Sequence, residues 1–152
     1  MTKVRQWWVM ILVVCSVVAG LGRDTTQAAS EFSLSSIQGT YGVFFVVQAV
    51  PSLQPLSGIG VFTADGQGNV TGVATYNDGT LVCEDVAVSG TYTVNPNGTG
   101  TVSHNIESTT AGCSRSTQDS LAISNDGELI RLAGTSPGAV TFFFEWRKQH
   151  QR

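Results

Sequence analysis

Eight runs of alternating apolar and polar residues, separated by turns built on Asn-Gly and Asp-Gly, direct this chain into an antiparallel sheet. The turns are Asp65-Gly66-Gln67-Gly68, Asn77-Asp78-Gly79, Asn95-Pro96-Asn97-Gly98, Asn125-Asp126-Gly127 and Ser136-Pro137-Gly138. Such pairs supply the positive φ that hairpin turns require. Between them the alternation predicts strands over 39–49, 57–64, 69–76, 80–94, 99–106, 116–124, 128–135 and 139–148. The connections are short, so consecutive strands pair as a meander. Apart from a single turn over 31–37, residues 30–152 carry no helical stripe. An even count of strands lets the first pair with the last. The expected fold is all-β: an eight-stranded antiparallel up-and-down barrel.

The phase of the alternation assigns faces. Tyr41, Val43, Phe45 and Val47 share one parity in the first strand, and Val140, Phe142, Phe144 and Trp146 share one in the last. In 80–94 the face Val82, Val86, Val88, Tyr92 keeps its parity throughout, which favours one long bent strand over two. The two closing strands are also apolar on their outer side, at Phe44, Val46 and Phe143. An outward apolar patch of this kind marks an interface, so a homodimer or an envelope partner is expected there.

Three ionisable residues share the parity of the inner faces: Glu84, His104 and Asp119. With turns that keep the faces in phase, Glu84 falls opposite Gly72, His104 opposite Gly90, and Asp119 opposite Gly134. Phe62 flanks Gly72 from the other side, so Phe62, Gly72 and Glu84 would frame a gap where a side chain is missing. Buried polar groups need a partner, a water or a ligand. The alternative is that these residues sit at solvated barrel rims, or that a bulge flips the parity.

The N-terminus reads as an export signal. Lys3 and Arg5 precede an apolar run from Trp7 to Leu21, and small residues at Ala28, Ala29 and Ser30 suit a signal peptidase. The run is shorter than the roughly 20 residues that span a bilayer. Residues 1–29 are therefore expected to be a signal peptide and 30–152 a single barrel domain, secreted or periplasmic. Cys15 leaves with the signal, and Val14 stands where a lipobox wants a small residue, so no lipoprotein is expected. Cys83 and Cys113 remain, an even pair in an oxidising compartment, expected to bridge. In a meander, Cys113 lies in the loop after the fifth strand, so that loop must fold back over one barrel end to reach Cys83. Residues 30–152 hold five Lys and Arg against ten Asp and Glu, a net charge of −5, which argues against nucleic acid and anionic membranes as partners.

Chemistry-bearing motifs are sparse. Asp65 to Asn69 lacks the third-position acid and closing Glu of a calcium loop and reads as a hairpin turn. No Gly-x-Gly-x-x-Gly opens a helix, so no nucleotide cofactor is expected. Zinc would need three or four ligands, and His104, His150 and a bridged Cys pair do not supply them. His104, Asp119 and the many serines hold the residue types of a triad, without a nucleophile elbow. Thr71, Thr75, Ser89, Thr91 and Thr93 face outward, which disfavours a transmembrane barrel.

The segments Gly58-Ile-Gly-Val-Phe-Thr-Ala-Asp-Gly-Gln-Gly-Asn-Val-Thr-Gly72 and Ser89-Gly-Thr-Tyr-Thr-Val-Asn-Pro-Asn-Gly-Thr-Gly-Thr101 resemble hairpins of calycin-type meander barrels, the lipocalin and avidin kind. They are also similar to a group of small exported bacterial proteins. The resemblance covers about residues 38–106 and implies a meander barrel; the inner-facing Gly58, Gly60, Gly72, Gly90, Gly100 and Gly134 leave space that favours an interior cavity. The lipocalin Gly-x-Trp is replaced by Gly39-Thr40-Tyr41, and no biotin-contacting set maps onto this chain. Cyclase barrels related to allene oxide cyclase are similar in size.

These observations lead to a barrel that binds a small, mostly apolar ligand. Phe62, Tyr92, Phe142, Phe144 and Trp146 would form its walls, Gly72 its gap, and Glu84, His104 and Asp119 its polar contacts. Two alternatives stand beside it: a non-catalytic envelope or interaction protein with a packed interior, and a cyclase or isomerase using an inward acid with His104. A barrel of eight strands is either filled by side chains or just wide enough for one ligand.

Overall fold

A computed structural model describes residues 31–47, 55–135 and 142–150. The expected signal peptide lies outside the described residues, as does Val140. Eight strands run β1 Gln38–Val47, β2 Leu56–Asp65, β3 Asn69–Asn77, β4 Val82–Val94, β5 Thr99–Glu107, β6 Arg115–Ser124, β7 Leu129–Gly134 and β8 Phe142–Lys148. Each pairs antiparallel with the next, and β8 returns to β1, so the sheet closes as an eight-stranded up-and-down barrel. Closure sets Phe144 opposite Phe45 and Trp146 opposite Val43. Those are the inner-face rows the alternation predicts. Closing the sheet leaves no unpaired edge for another chain to extend.

One end of the barrel is plugged by the N-terminal segment. A 3-10 turn, Leu34–Ile37, buries Ile37 completely beneath the strand ends. The Tyr92 hydroxyl donates to the carbonyls of Ile37 (3.0 Å) and Leu34 (3.2 Å), and the Tyr41 hydroxyl donates to Gly127 (3.1 Å). Burial, with Glu128 and Tyr92 nearby, pushes the Tyr41 phenol up to about 12, so it stays a neutral donor at any ordinary pH. At the same end, Asp65 accepts the Gln67 and Asn69 amides and the Asn69 side chain. These bonds hold its carboxyl below the usual range. The carboxylate is spent on closing the hairpin turn.

The opposite end carries the disulfide. Cys83 and Cys113 are bonded, with Cα atoms 5.7 Å apart, and both are fully buried. The β5–β6 loop folds back over this end as the topology requires. Its fold is held by more than the bridge. The Tyr76 hydroxyl donates to the Cys113 carbonyl and accepts from Arg115 Nε (3.3 Å), while Arg115 Nη2 meets Asp78 at 2.6 Å. The Thr80 hydroxyl and amide, the Leu81 amide and Arg115 draw the Asp78 carboxyl down to about 2, so the latch stays ionised.

The parity of β4 departs from expectation at one place. The β3–β4 register slips between Ala74 and Tyr76, pairing Ala74 with Val86 and Tyr76 with Cys83. Glu84 and Asp85 thus share one position across from Thr75, and Asp85 adopts a left-handed φ of 50°. Its amide donates to the Thr75 hydroxyl at 3.2 Å. This bulge lets two adjacent acids face solvent, and it turns Cys83 inward in place of Val82. β4 is nonetheless one continuous strand of 13 residues.

Candidate functional site

The half of the barrel nearer the disulfide holds a cavity of about 40 Å³. Its walls are apolar, from Phe45 and Val47 on β1, Phe62 on β2, Val88 on β4, Ile106 on β5 and Phe144 on β8. Tyr76 and Arg115 border it beside the loop latch. Into this wall the fold sets one imidazole. His104 is 4 % exposed and packs among three rings: Phe144 stacked at 5.6 Å, Phe62 at 5.7 Å and Trp146 at 5.6 Å between centroids.

The ring is oriented from β6. Alternation along that strand puts Arg115, Thr117 and Asp119 on the inner face in that order, and β5 pairs His104 with Thr117. The Thr117 hydroxyl donates to Asp119 Oδ2 at 3.2 Å, so its oxygen is free to accept from His104 Nδ1 at 3.3 Å. Nδ1 also lies 3.6 Å from Asp119 Oδ2. Two oxygens facing Nδ1 place the hydrogen of a neutral ring there and leave a lone pair on Nε2. Nε2 finds no hydrogen-bond partner among the described residues, although it is buried.

Of the residues expected at the site, Phe62, His104 and Phe144 line the cavity. Asp119, 2 % exposed, supports His104 from behind the wall, and Trp146 packs against the same imidazole. The registers of His104 with Gly90, Asp119 with Gly134 and Phe62 with Gly72 are as predicted. Three expectations, at Glu84, Gly72 and Tyr92, fail or fall elsewhere. Glu84 is exposed on the bulge, and Gly72 pairs with Val88 instead. Gly72 leaves no gap: a Cβ there would strike the Val61 carbonyl and come within 2.6 Å of the Phe62 ring. The glycine exists to let that ring lie flat across the sheet. Tyr92 is buried but belongs to the plugged end. The side chain of Phe142 lies outside what the structure describes. Gly58 repeats the lesson of Gly72, since a Cβ would meet the Phe45 ring and the Thr75 carbonyl.

Sequence reasoning overlooks Thr117 and Arg115. Both share the parity of Asp119, and that signal is sufficient to find them. It also underestimates the outer apolar face. Phe44 and Phe143 are 48 % and 51 % exposed, and Ile59 (62 %), Val61 and Val73 extend the patch onto β2 and β3. Phe143 lies beside Val46, Phe44 beside Ile59, and Val61 beside Val73, so the face runs from β8 across β1 and β2 to β3.

No protein-family model matches the chain, and no curated protein matches it. The buried disulfide is compatible with an exported protein, and among the described residues no helix is long and apolar enough to cross a membrane.

Proposed function

We propose that this barrel is an exported carrier or sensor that binds a small, mostly apolar ligand in its interior, in the half nearer the disulfide. The observation that carries the reading is a cavity with apolar walls and one buried imidazole, His104, in its lining. Small-molecule sites have this composition: hydrophobic lining with a few placed polar groups. The calycin-type likeness of the hairpins points the same way. The cavity is smaller than the roughly 150 Å³ that encloses a benzene ring. It therefore suits a compact ligand, or the head of a short chain whose tail runs toward Leu56 and Ile106. Secretion or residence in the periplasm would place the protein where it meets such molecules outside the cytoplasm.

Xenon tests the site directly, because it enters apolar cavities without needing a hydrogen bond. Under xenon pressure, methyl resonances of Val47, Leu56, Val88 and Ile106 should shift together. Ala74→Leu, which adds bulk at the cavity wall, should abolish those shifts while costing about 1–3 kcal/mol by overpacking. Unchanged methyl resonances in the unmodified protein would count for a packed interior and against the ligand reading.

The outer face supports a second, compatible role as an interaction surface. We propose that Phe44, Val46 and Phe143, joined by Ile59, Val61 and Val73, form a homodimer contact. Large exposed apolar patches on soluble proteins mark such contacts. Sedimentation should show a dimer that Phe44→Lys with Phe143→Lys converts to monomer. A wild-type monomer at millimolar concentration would rule the homodimer out.

A further inference from the structure

The cavity wall holds four polar side chains, Tyr76, His104, Arg115 and Thr117. Three of them are already committed. The Tyr76 hydroxyl donates to the Cys113 carbonyl and accepts from Arg115 Nε. The Thr117 hydroxyl donates to Asp119 and accepts from His104 Nδ1. The second ring nitrogen of His104 is buried among packed rings, out of a ligand's reach. Arg115 differs. A guanidinium carries five N–H donors. Nε meets Tyr76 and Nη2 meets Asp78, and the other hydrogens, both of those on Nη1 included, find no acceptor among the described residues. The side chain is 35 % exposed, so water reaches these donors and a ligand can replace it.

Arg115 is also held in place. Its guanidinium carbon lies 5.1 Å from the centre of the Tyr76 ring, and its two bonds fix the plane of the fork. A donor set ordered in advance costs a ligand little to engage. No carboxylate lines the cavity to compete for it from within. Asp78 stands outside the lining, and its other oxygen is tied to the Thr80 and Leu81 amides of its own turn. A planar fork of N–H donors matches the paired oxygens of a carboxylate, whereas a hydrocarbon offers it nothing. Resting on the interior-ligand reading proposed above, we infer that the cavity takes a short-chain monocarboxylate. Its carboxylate accepts from the free guanidinium hydrogens of Arg115, and its hydrocarbon tail lies inward against Val88, Ile106 and Phe144. The cavity of about 40 Å³ limits that tail to a few carbons.

The test titrates butanoate, its uncharged isostere butanamide, and acetate into the intact protein at pH 7. The Arg115 guanidinium signals and the Val88 and Ile106 methyl signals are followed by NMR. Butanoate should bind tightest and shift both sets. Butanamide should bind roughly ten- to a hundred-fold more weakly, the difference between a charge-assisted and a neutral hydrogen bond. Acetate, shorter by two methylenes, should bind roughly tenfold more weakly than butanoate. Arg115→Gln should bring butanoate down to the level of butanamide. Because Arg115 also belongs to the loop latch, Asp78→Asn provides a second measure. Removing the competing charge should tighten butanoate by roughly two- to fivefold and leave butanamide unchanged, which a purely structural Arg115 would not do. Equal binding of butanoate and butanamide would overturn the inference and leave the apolar cavity standing. Equal binding of acetate and butanoate, with the methyl signals unmoved, would overturn it by showing a carboxylate resting on the surface. If xenon and all three probes leave the methyl signals unmoved, the interior-ligand reading falls and the inference with it.

Discussion

Replacing Cys83 and Cys113 by alanine should lower the stability of the barrel by about 3–4 kcal/mol, the chain-entropy value for a closed loop of about 31 residues. At roughly 3–5 °C per kcal/mol for a domain of this size, the melting temperature should fall by about 10–20 °C. Alanine is the right replacement because both positions are fully buried, and a serine hydroxyl there would add a desolvation cost of its own. The loss should not stop at the unfolded state. The bridge, the Tyr76 hydroxyl on the Cys113 carbonyl, and the Arg115–Asp78 pair jointly hold the β5–β6 loop over the cavity end. Once the bridge is gone, the remaining ties are a hydrogen bond and a partly buried ion pair, single contacts that contribute little alone. Amide exchange in 108–114 should therefore rise more than exchange in β1 or β5. Calorimetry of the double variant beside the dithiothreitol-treated wild type measures the first effect. A decrease below about 1 kcal/mol would mean that the native loop is held by its other contacts and that the bridge is incidental.

Much of this architecture is legible in the residues because period-two alternation and turn chemistry are both local. Asn-Gly and Asp-Gly turns limit loop lengths, and loop length with face parity determines register. That is why the residues alone imply the pairings of His104 with Gly90 and Asp119 with Gly134. Closure of β8 on β1 follows from an even strand count, which lets the first strand pair with the last. What escapes is what local patterns do not encode. The bulge at Glu84 and Asp85 is invisible because Val82 and Cys83 are both apolar, so either one could be the inward residue. The glycines mislead for a different reason. A missing side chain reads as space in one strand, but neighbouring rings and carbonyls close over it, as Phe62 does at Gly72 and Phe45 at Gly58. The cavity lies where rings from several strands fail to meet, a three-dimensional outcome that no single strand specifies.

The pair His104 and Asp119 offers the sharpest measure of what the core is for. His104→Phe alone should destabilise the barrel by roughly 1–3 kcal/mol, because it leaves a buried carboxyl group with the Thr117 hydroxyl as its remaining partner among the described residues. The phenyl ring itself fits, since the imidazole already stacks on Phe144 and packs on Phe62. The penalty therefore belongs to Asp119, and removing both polar groups should remove it. His104→Phe combined with Asp119→Leu is expected to come within about 1 kcal/mol of wild type, or to exceed it, as apolar replacements of buried polar pairs often do. Denaturant unfolding of the two single variants and the double gives the coupling energy directly. A double variant at wild-type stability would mean that the fold can do without the imidazole and its carboxyl, and that the polar pair is kept for something other than stability. A double variant as unstable as His104→Phe alone would mean that the polar pair is part of the scaffold, retained for stability rather than for recognition.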